Sequence, residues 1–227
     1  MSFLTSRAQD RPARQQTIEG AIGWSYDLLE DNQKQLFRSL GLFVGGFTLE
    51  ASEAVYANED ESSGIDVFDG LASLAEKSLI NREESTGDQV RFSMLEMIRE
   101  YAVKRLEESG EGRETRRRHT DYVLAYIDQA QPNFPGPDSA IWFGKIQNDI
   151  DNIRASLVWC SEHDKKTGLR IASPLYLFWA MRVRDQSGLP VLQSLRIASS
   201  EKYLPKWCLQ LPTIQKTSPQ NLPSGNQ

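Results

Sequence analysis

Along the first third of the chain, apolar residues return about once per helical turn. Ile18, Ile22, Tyr26 and Leu29 predict a helix with Thr17 at its N-cap. After "EDNQ", residues Leu36, Phe37, Leu40 and Phe43 share one face of a second helix, and "VGGF" breaks it. Thr48 can cap a third, "LEASEAVYA", and the acidic loop "NEDESSG" separates this from a fourth carrying Ile65, Phe68, Leu71, Ala72 and Ala75. The period then changes from helical to alternating. In "SLINREESTGDQVRFSMLEMIREYA", residues 78–102, Leu79 and Ile80 open a short strand. "STGD" supplies turn chemistry, and Val90 and Phe92 alternate with polar neighbours. Met97, Ile98, Tyr101, Ala102 and Leu106 return to helical spacing, ended by Ser109-Gly110.

Helices, a two-stranded ribbon and a closing helix are the elements of a winged helix. The pattern places it at 17–110, after a polar linker over 1–16. It also predicts a first core of Trp24, Phe37, Leu40, Phe43, Leu71, Leu74, Phe92, Ile98 and Tyr101. From 111 to 184 the pattern is purely helical. Tyr122, Val123, Tyr126, Ile127 and Ala130 make one stripe, and "QPNFPGP" interrupts it. Ile146, Ile150, Ile153, Leu157 and Cys160 make a second stripe, and Leu169, Ala172, Tyr176 and Trp179 a third. Antiparallel helices of this kind bury their stripes against one another, as in helical repeats. The expected fold class is mostly α: a winged helix followed by TPR-like antiparallel helices. Residues 185–227 hold five of the ten prolines and only two acidic residues. They read as a disordered or aberrant tail, with Leu204 and Trp207 able to dock near Tyr176 and Trp179.

Charge bears on what the wing can do. Formal net charge is −5, which works against general attraction to phosphate backbones. Residues 48–70 contain seven carboxylates and no Lys or Arg, and the predicted fourth helix adds only Glu76 and Lys77. A helix that enters the major groove normally offers Arg, Lys, Asn or Gln. The pattern therefore disfavours DNA binding by this face; Arg82 and Arg91 of the wing are offset by Glu83, Glu84 and Asp88. The remaining candidate for phosphate or nucleic-acid contact is "GRETRRRH", with Arg113, Arg116, Arg117 and Arg118. Against it stand Glu107, Glu108, Glu111 and Glu114, close enough to pair with these arginines on a solvated helix.

Catalytic chemistry finds no support. "GLFVGGF" has glycines but lacks the lysine of a phosphate loop, and reads as an inter-helix turn. His119 and His163 lie in polar helical contexts without ligand-spaced partners, and Cys160 and Cys208 have no zinc or disulfide spacing. No nucleophile signature occurs. The expectation is a non-enzyme without cofactor or metal. With no apolar run near 18 residues and no signal-peptide h-region, it is expected to be cytoplasmic, with no membrane partner.

Three segments carry a resemblance: "RPARQQTIEGAIGWSYDLLEDNQKQLFRSLGLFVGGFTLEASEAV", "LASLAEKSLI" and "MLEMIREYAVKRLEESGE". Together they resemble the winged-helix domain of bacterial STAND-type, NB-ARC-like signalling ATPases. "RRRHTDYVLAYIDQA" and "NDIDNIRASLVWCSEHD" look like the start of that family's helical repeats. The resemblance spans about 10–183. It implies a non-catalytic interaction module that couples a nucleotide switch to a helical-repeat sensor. The upstream ATPase domain, or another protein, would be its partner, and ATP or ADP would bind only through that domain. On this view the chain is a fragment without its ATPase core. In related proteins a Met-His-Asp motif after the wing contacts the β-phosphate of ADP, and here it falls on Met94, Leu95 and Glu96. The Leu95 side chain has no hydrogen to donate and reads as a core residue. Glu96 would be favoured at a helix N-terminus. The alternative is a stand-alone winged-helix DNA-binding transcriptional regulator, for which the topology and "RETRRRH" speak.

Overall fold

The computed structural model describes residues 13–56, 66–83, 90–176 and 178. The expected tail over 185–227, the turn "STGD", the acidic loop and most of the 1–16 linker lie outside these residues. Helix α1 (Ala13–Asp27) starts before Thr17, so Thr17 lies inside the helix instead of capping it. Helix α2 (Asp31–Leu40) is entered through a capping box, Glu30 with Gln33, and buries Leu36, Phe37 and Leu40. Strand β1 (Phe47–Thr48) precedes helix α3 (Leu49–Tyr56), whose Ala51 N–H donates to Thr48 Oγ1 at 3.2 Å. Helix α4 (Val67–Glu76), strands β2 (Asn81–Glu83) and β3 (Arg91–Ser93) and helix α5 (Glu96–Ser109) follow. Gly110 at φ 79° ends α5, where a left-handed residue is needed and glycine takes it without steric cost.

The sheet has three strands, not the expected two, in antiparallel order β1-β3-β2, with Phe47 opposite Phe92 and Thr48 opposite Arg91. The sequence hid β1 because two residues are too few to show alternation. Phe92 turns into the core, stacked on Phe47 at 6.0 Å, while Arg91 points to the other face, as the strand period requires.

The first core joins α1–α5 and the sheet, and it includes eight of the nine expected residues. The exception is Trp24, which is 70% exposed. Its neighbours Ile22 and Tyr26 point inward, and the face bearing Trp24 and Leu28 looks to solvent. Trp24→Ser is therefore expected to change stability by less than about 0.5 kcal/mol; a larger fall in the thermal midpoint than that allows would return Trp24 to the core. The stripe on α4 is also displaced. Phe68 and Ala72 are exposed, while Gly70, Leu71 and Leu74 face inward.

The second core is built by helices α6 (Gly112–Ala130), α7 (Ser139–Asn148), α8 (Ile150–His163) and α9 (Lys165–Ala172). Residues 146–160 do not form one helix. The chain turns at Asp149 (φ −107°, ψ 11°), and Ile146 and Ile150 reach the same core from either side of that corner. Tyr122 of α6 packs on both cores.

Candidate nucleic-acid interface

Helices α3 and α4 with the ribbon β2–β3 form the helix-turn-helix and wing. Asp66 caps α4, its carboxylate accepting from Phe68 N–H at 2.8 Å and Asp69 N–H at 3.4 Å. Ser73, on the side of α4 facing α2, accepts from Gln33 Nε2 at 3.0 Å. Lys77 Nζ also donates to Ser73 Oγ, at 2.7 Å, so this lysine folds back along its own helix. Ser78 adopts φ 57°, turning the chain from α4 into β2. The outward residues are Phe68, Asp69, Ala72, Glu76 and Lys77 on α4, and Asn81, Arg82 and Glu83 on β2. From 66 to 83 there are four carboxylates and two cations.

Arg91 does not point to open solvent. Its guanidinium meets Asp149, from the corner between α7 and α8, with Nη2–Oδ1 at 2.8 Å and Nη1–Oδ2 at 3.4 Å. Burial works against the charge on Arg91, and the hydrogen bond and negative charge of Asp149 more than offset it, raising its pKa. Beside this pair, Asn152 is 4% exposed. Its Oδ1 accepts from Val44 N–H at 2.6 Å, and its Nδ2 donates to Gly46 O at 2.8 Å. Gly46 sits at φ 98°, and a Cβ there would come within 2.9 Å of the Phe92 carbonyl oxygen. The turn thus requires glycine for its conformation and for its approach to β3.

Of the basic run, Arg113 lies exposed on the first turn of α6. Arg116 pairs with Glu107, and Arg117 with Glu114 at 2.6 Å and Asp121 at 2.8 Å. Arg118 is half-buried. At the Met-His-Asp position, Met94 packs against the first core. Leu95 is 60% exposed at the N-cap of α5, which corrects its reading as a core residue. It ends the extended segment just before the helix, where the side chain turns outward. Glu96 binds Arg99 through two hydrogen bonds, 2.7 and 2.9 Å, which hold its carboxyl below the usual range. That carboxylate is paired along its own helix.

His119 lies in the seam between the two cores. It is 3% exposed, edge-on to Phe43 at 5.1 Å, and its Nε2 has no hydrogen-bond partner among the described residues. Burial pushes its pKa down to about 4. Cys160 is buried and its thiol is pushed up to about 11 by burial, so it remains protonated and unreactive near neutral pH. Among the described residues no group of three or more His, Cys, Asp or Glu could hold a metal ion. No helix among them is long and apolar enough to cross a membrane. Sequence reasoning missed Asn152, Asp149 and the seam around His119. The available signal was "VGG" against "NDIDN", two segments about a hundred residues apart that a local reading cannot pair.

Residues 29–107 match the family described as "Winged helix-turn-helix domain". Over 184 residues, 80% of this chain, the sequence is 37% identical to the "Putative HTH-type transcriptional regulator" of Mycobacterium tuberculosis and to its Mycobacterium bovis counterpart. An uncharacterized protein of Mycobacterium tuberculosis is 33% identical over 97 residues, covering 43% of this chain and 24% of its own length. The chain spans about a fifth of the length of the regulators it matches. No solved structure matches. These likenesses overturn the expectation of a module that couples a STAND-type nucleotide switch to a repeat sensor, and agree with the transcription-regulator alternative. The motif position is consistent with this correction: Leu95 offers no donor and Glu96 is occupied by Arg99.

Proposed function

We propose that this chain is part of an HTH-type transcriptional regulator and that its winged helix meets DNA with the end of α4 and the root of the wing. The observation that carries this reading is the helix-turn-helix with a β2–β3 wing in a three-stranded sheet, built from residues that lie within the family match. Such a module works by lodging a helix against the groove and a wing along the backbone. Lys77 and Arg82, five residues apart on either side of the turn at Ser78, are the cations for phosphate contact. This face is poor in charge for the task. Neutralising two phosphates gives a salt slope, d log K/d log [salt], of about −2, shallow beside that of strongly basic DNA-binding proteins. Asp66, Asp69, Glu76 and Glu83 reduce the attraction further. The earlier expectation that this face avoids DNA thus becomes an expectation of weak binding, to be strengthened by other parts of a longer regulator. The chain's role is regulatory and non-enzymatic, without a cofactor of its own, and its place is with DNA in the cytoplasm.

Anisotropy titration with mixed-sequence duplex at low salt tests this. The unmodified chain should bind weakly, with the shallow slope above, and Lys77→Ala with Arg82→Ala should weaken binding about tenfold, as removal of two phosphate contacts implies. Asp69→Asn with Glu76→Gln should strengthen it severalfold. Failure of both the unmodified chain and the neutralised variant to bind at low salt would overturn the reading.

A further inference from the structure

The helical array touches the winged helix at several places, and two of these contacts differ sharply in chemistry. Helix α6 packs along α3, with Thr115, His119 and Thr120 buried and Tyr122 shared by both cores. The second attachment is the α7–α8 corner, and it is made by polar groups. Asp149 holds Arg91 of β3. Asn152 uses both ends of its amide on the turn that leads into β1, receiving Val44 N–H and donating to Gly46 O. Asn152 Nδ2 also lies 3.4 Å from Asp149 Oδ1, which ties the two grips together. Because β1 and β3 are neighbours in the sheet, one short segment of the array grips a strand of the wing, β3, and the turn leading into the strand beside it.

The chemistry of this grip makes it all-or-none. Two hydrogen bonds from one planar amide and a two-point guanidinium–carboxylate contact all depend on direction, so a small shift of α8 loses them together. An apolar contact would slide and keep most of its energy. Once parted, these groups can hydrogen-bond to water, so the net cost of opening is far smaller than that of exposing an apolar core.

We propose that the α7–α8 corner is a latch through which the helical array holds β1 and β3 at the base of the wing. With Asn152 on the 44–46 turn and Asp149 on Arg91, the root of the wing is held. A movement of α8 relative to α6, such as a partner seated on the array would cause, loosens the 44–46 turn and the backbone of β1 and β3, while Phe47 and Phe92 keep their place in the first core. The device goes beyond the DNA-binding reading and stands or falls independently of it, because it concerns only the array and the wing.

Hydrogen exchange on the full chain, read by residue, tests the latch. In Asn152→Ala, amides of β1, β3 and the 44–46 turn should exchange at least about tenfold faster, while α2 and α5, in the same module, keep their unmodified rates. Equal acceleration in α2 and α5 would mean general loosening and would overturn the proposal, as would unchanged rates in the sheet. Should Asn152→Ala fail to fold, the milder Asp149→Asn decides, with the same contrast between β3 and α5. Coupling is reciprocal, so Arg91→Ala must also accelerate exchange in the first turn of α8, near Ile153. A side chain that merely packs within the wing would leave that turn unaffected, and this result would also overturn the proposal.

Discussion

Replacing Phe37 with alanine is expected to remove about 4 kcal/mol of stability, the largest single-residue effect foreseen in this chain. Phe37 has no solvent exposure and lies between Tyr26, centroids 5.4 Å apart, and Tyr101, 6.5 Å apart. Tyr26 and Tyr101 meet edge-on at 5.7 Å. The three rings come from α2, α1 and α5, so the cluster ties α5 to two neighbouring helices that lie far before it in the sequence. Truncation loses the ring's own burial and also its contacts with both tyrosines, and each such aromatic pair is worth about 0.5–1.5 kcal/mol beyond area. Domains of this size are commonly stable by only about 5–15 kcal/mol. Urea unfolding followed by far-UV circular dichroism should show an early loss of the winged helix. A change under about 1 kcal/mol would mean that the cluster is not the keystone proposed for these helices.

Mild acid is expected to be the second large perturbation, through His119. Its pKa is near 6.5 when exposed and about 4 in the fold, because burial disfavours the cation; among the described residues its Nε2 has no hydrogen-bond partner. Above pH 6.5 both the folded and the unfolded state carry the neutral ring, and the full stability is present. Below 6.5 the unfolded state takes up a proton that the folded state refuses, and stability falls until about pH 4, where both are charged. At about 1.4 kcal/mol per pH unit the interval amounts to about 3 kcal/mol. Glu96 and Glu114 add losses only at lower pH, since Arg99 and Arg117 hold their carboxyls below the ordinary value of 4.5; both are largely exposed, so their share is small. Urea unfolding of the unmodified chain and of His119→Leu, compared from about pH 7 to about pH 4.5, isolates the histidine. The unmodified chain should lose most of the 3 kcal/mol and the variant almost none of that part. Parallel curves would show that His119 is protonated in the fold.

The outcome at Leu95, Trp24 and Arg91 shows how far a one-dimensional reading reaches. Trp24 and Leu95 are apolar and sit beside inward positions, so they read as core; which face of α1 is covered depends on whether another element packs there. Arg91 reads as a wing charge in the sequence, whereas in the fold Asp149, 58 residues away, pairs with it. The charge pattern of α4, by contrast, was legible at once, because an exposed helical face needs no partner to be described. From that pattern the sequence disfavoured DNA binding by this face, and the likeness to HTH-type regulators speaks against that reading.

What the sequence determined alone is the order of most of the helices and of the β2–β3 ribbon, most of the residues of the two cores and the acidic outer face of α4. Hydrophobic period and local charge are properties of neighbouring residues, and they act within a turn or two of the chain. Only the tertiary structure decided that β1 exists, that 146–160 bends at Asp149, that His119 is shut in a seam, and that Asn152 grips Val44 and Gly46. Each of these depends on groups far apart in sequence meeting at hydrogen-bond or van der Waals distance. Such meetings are selected by the packing of whole helices, not by the residues on either side.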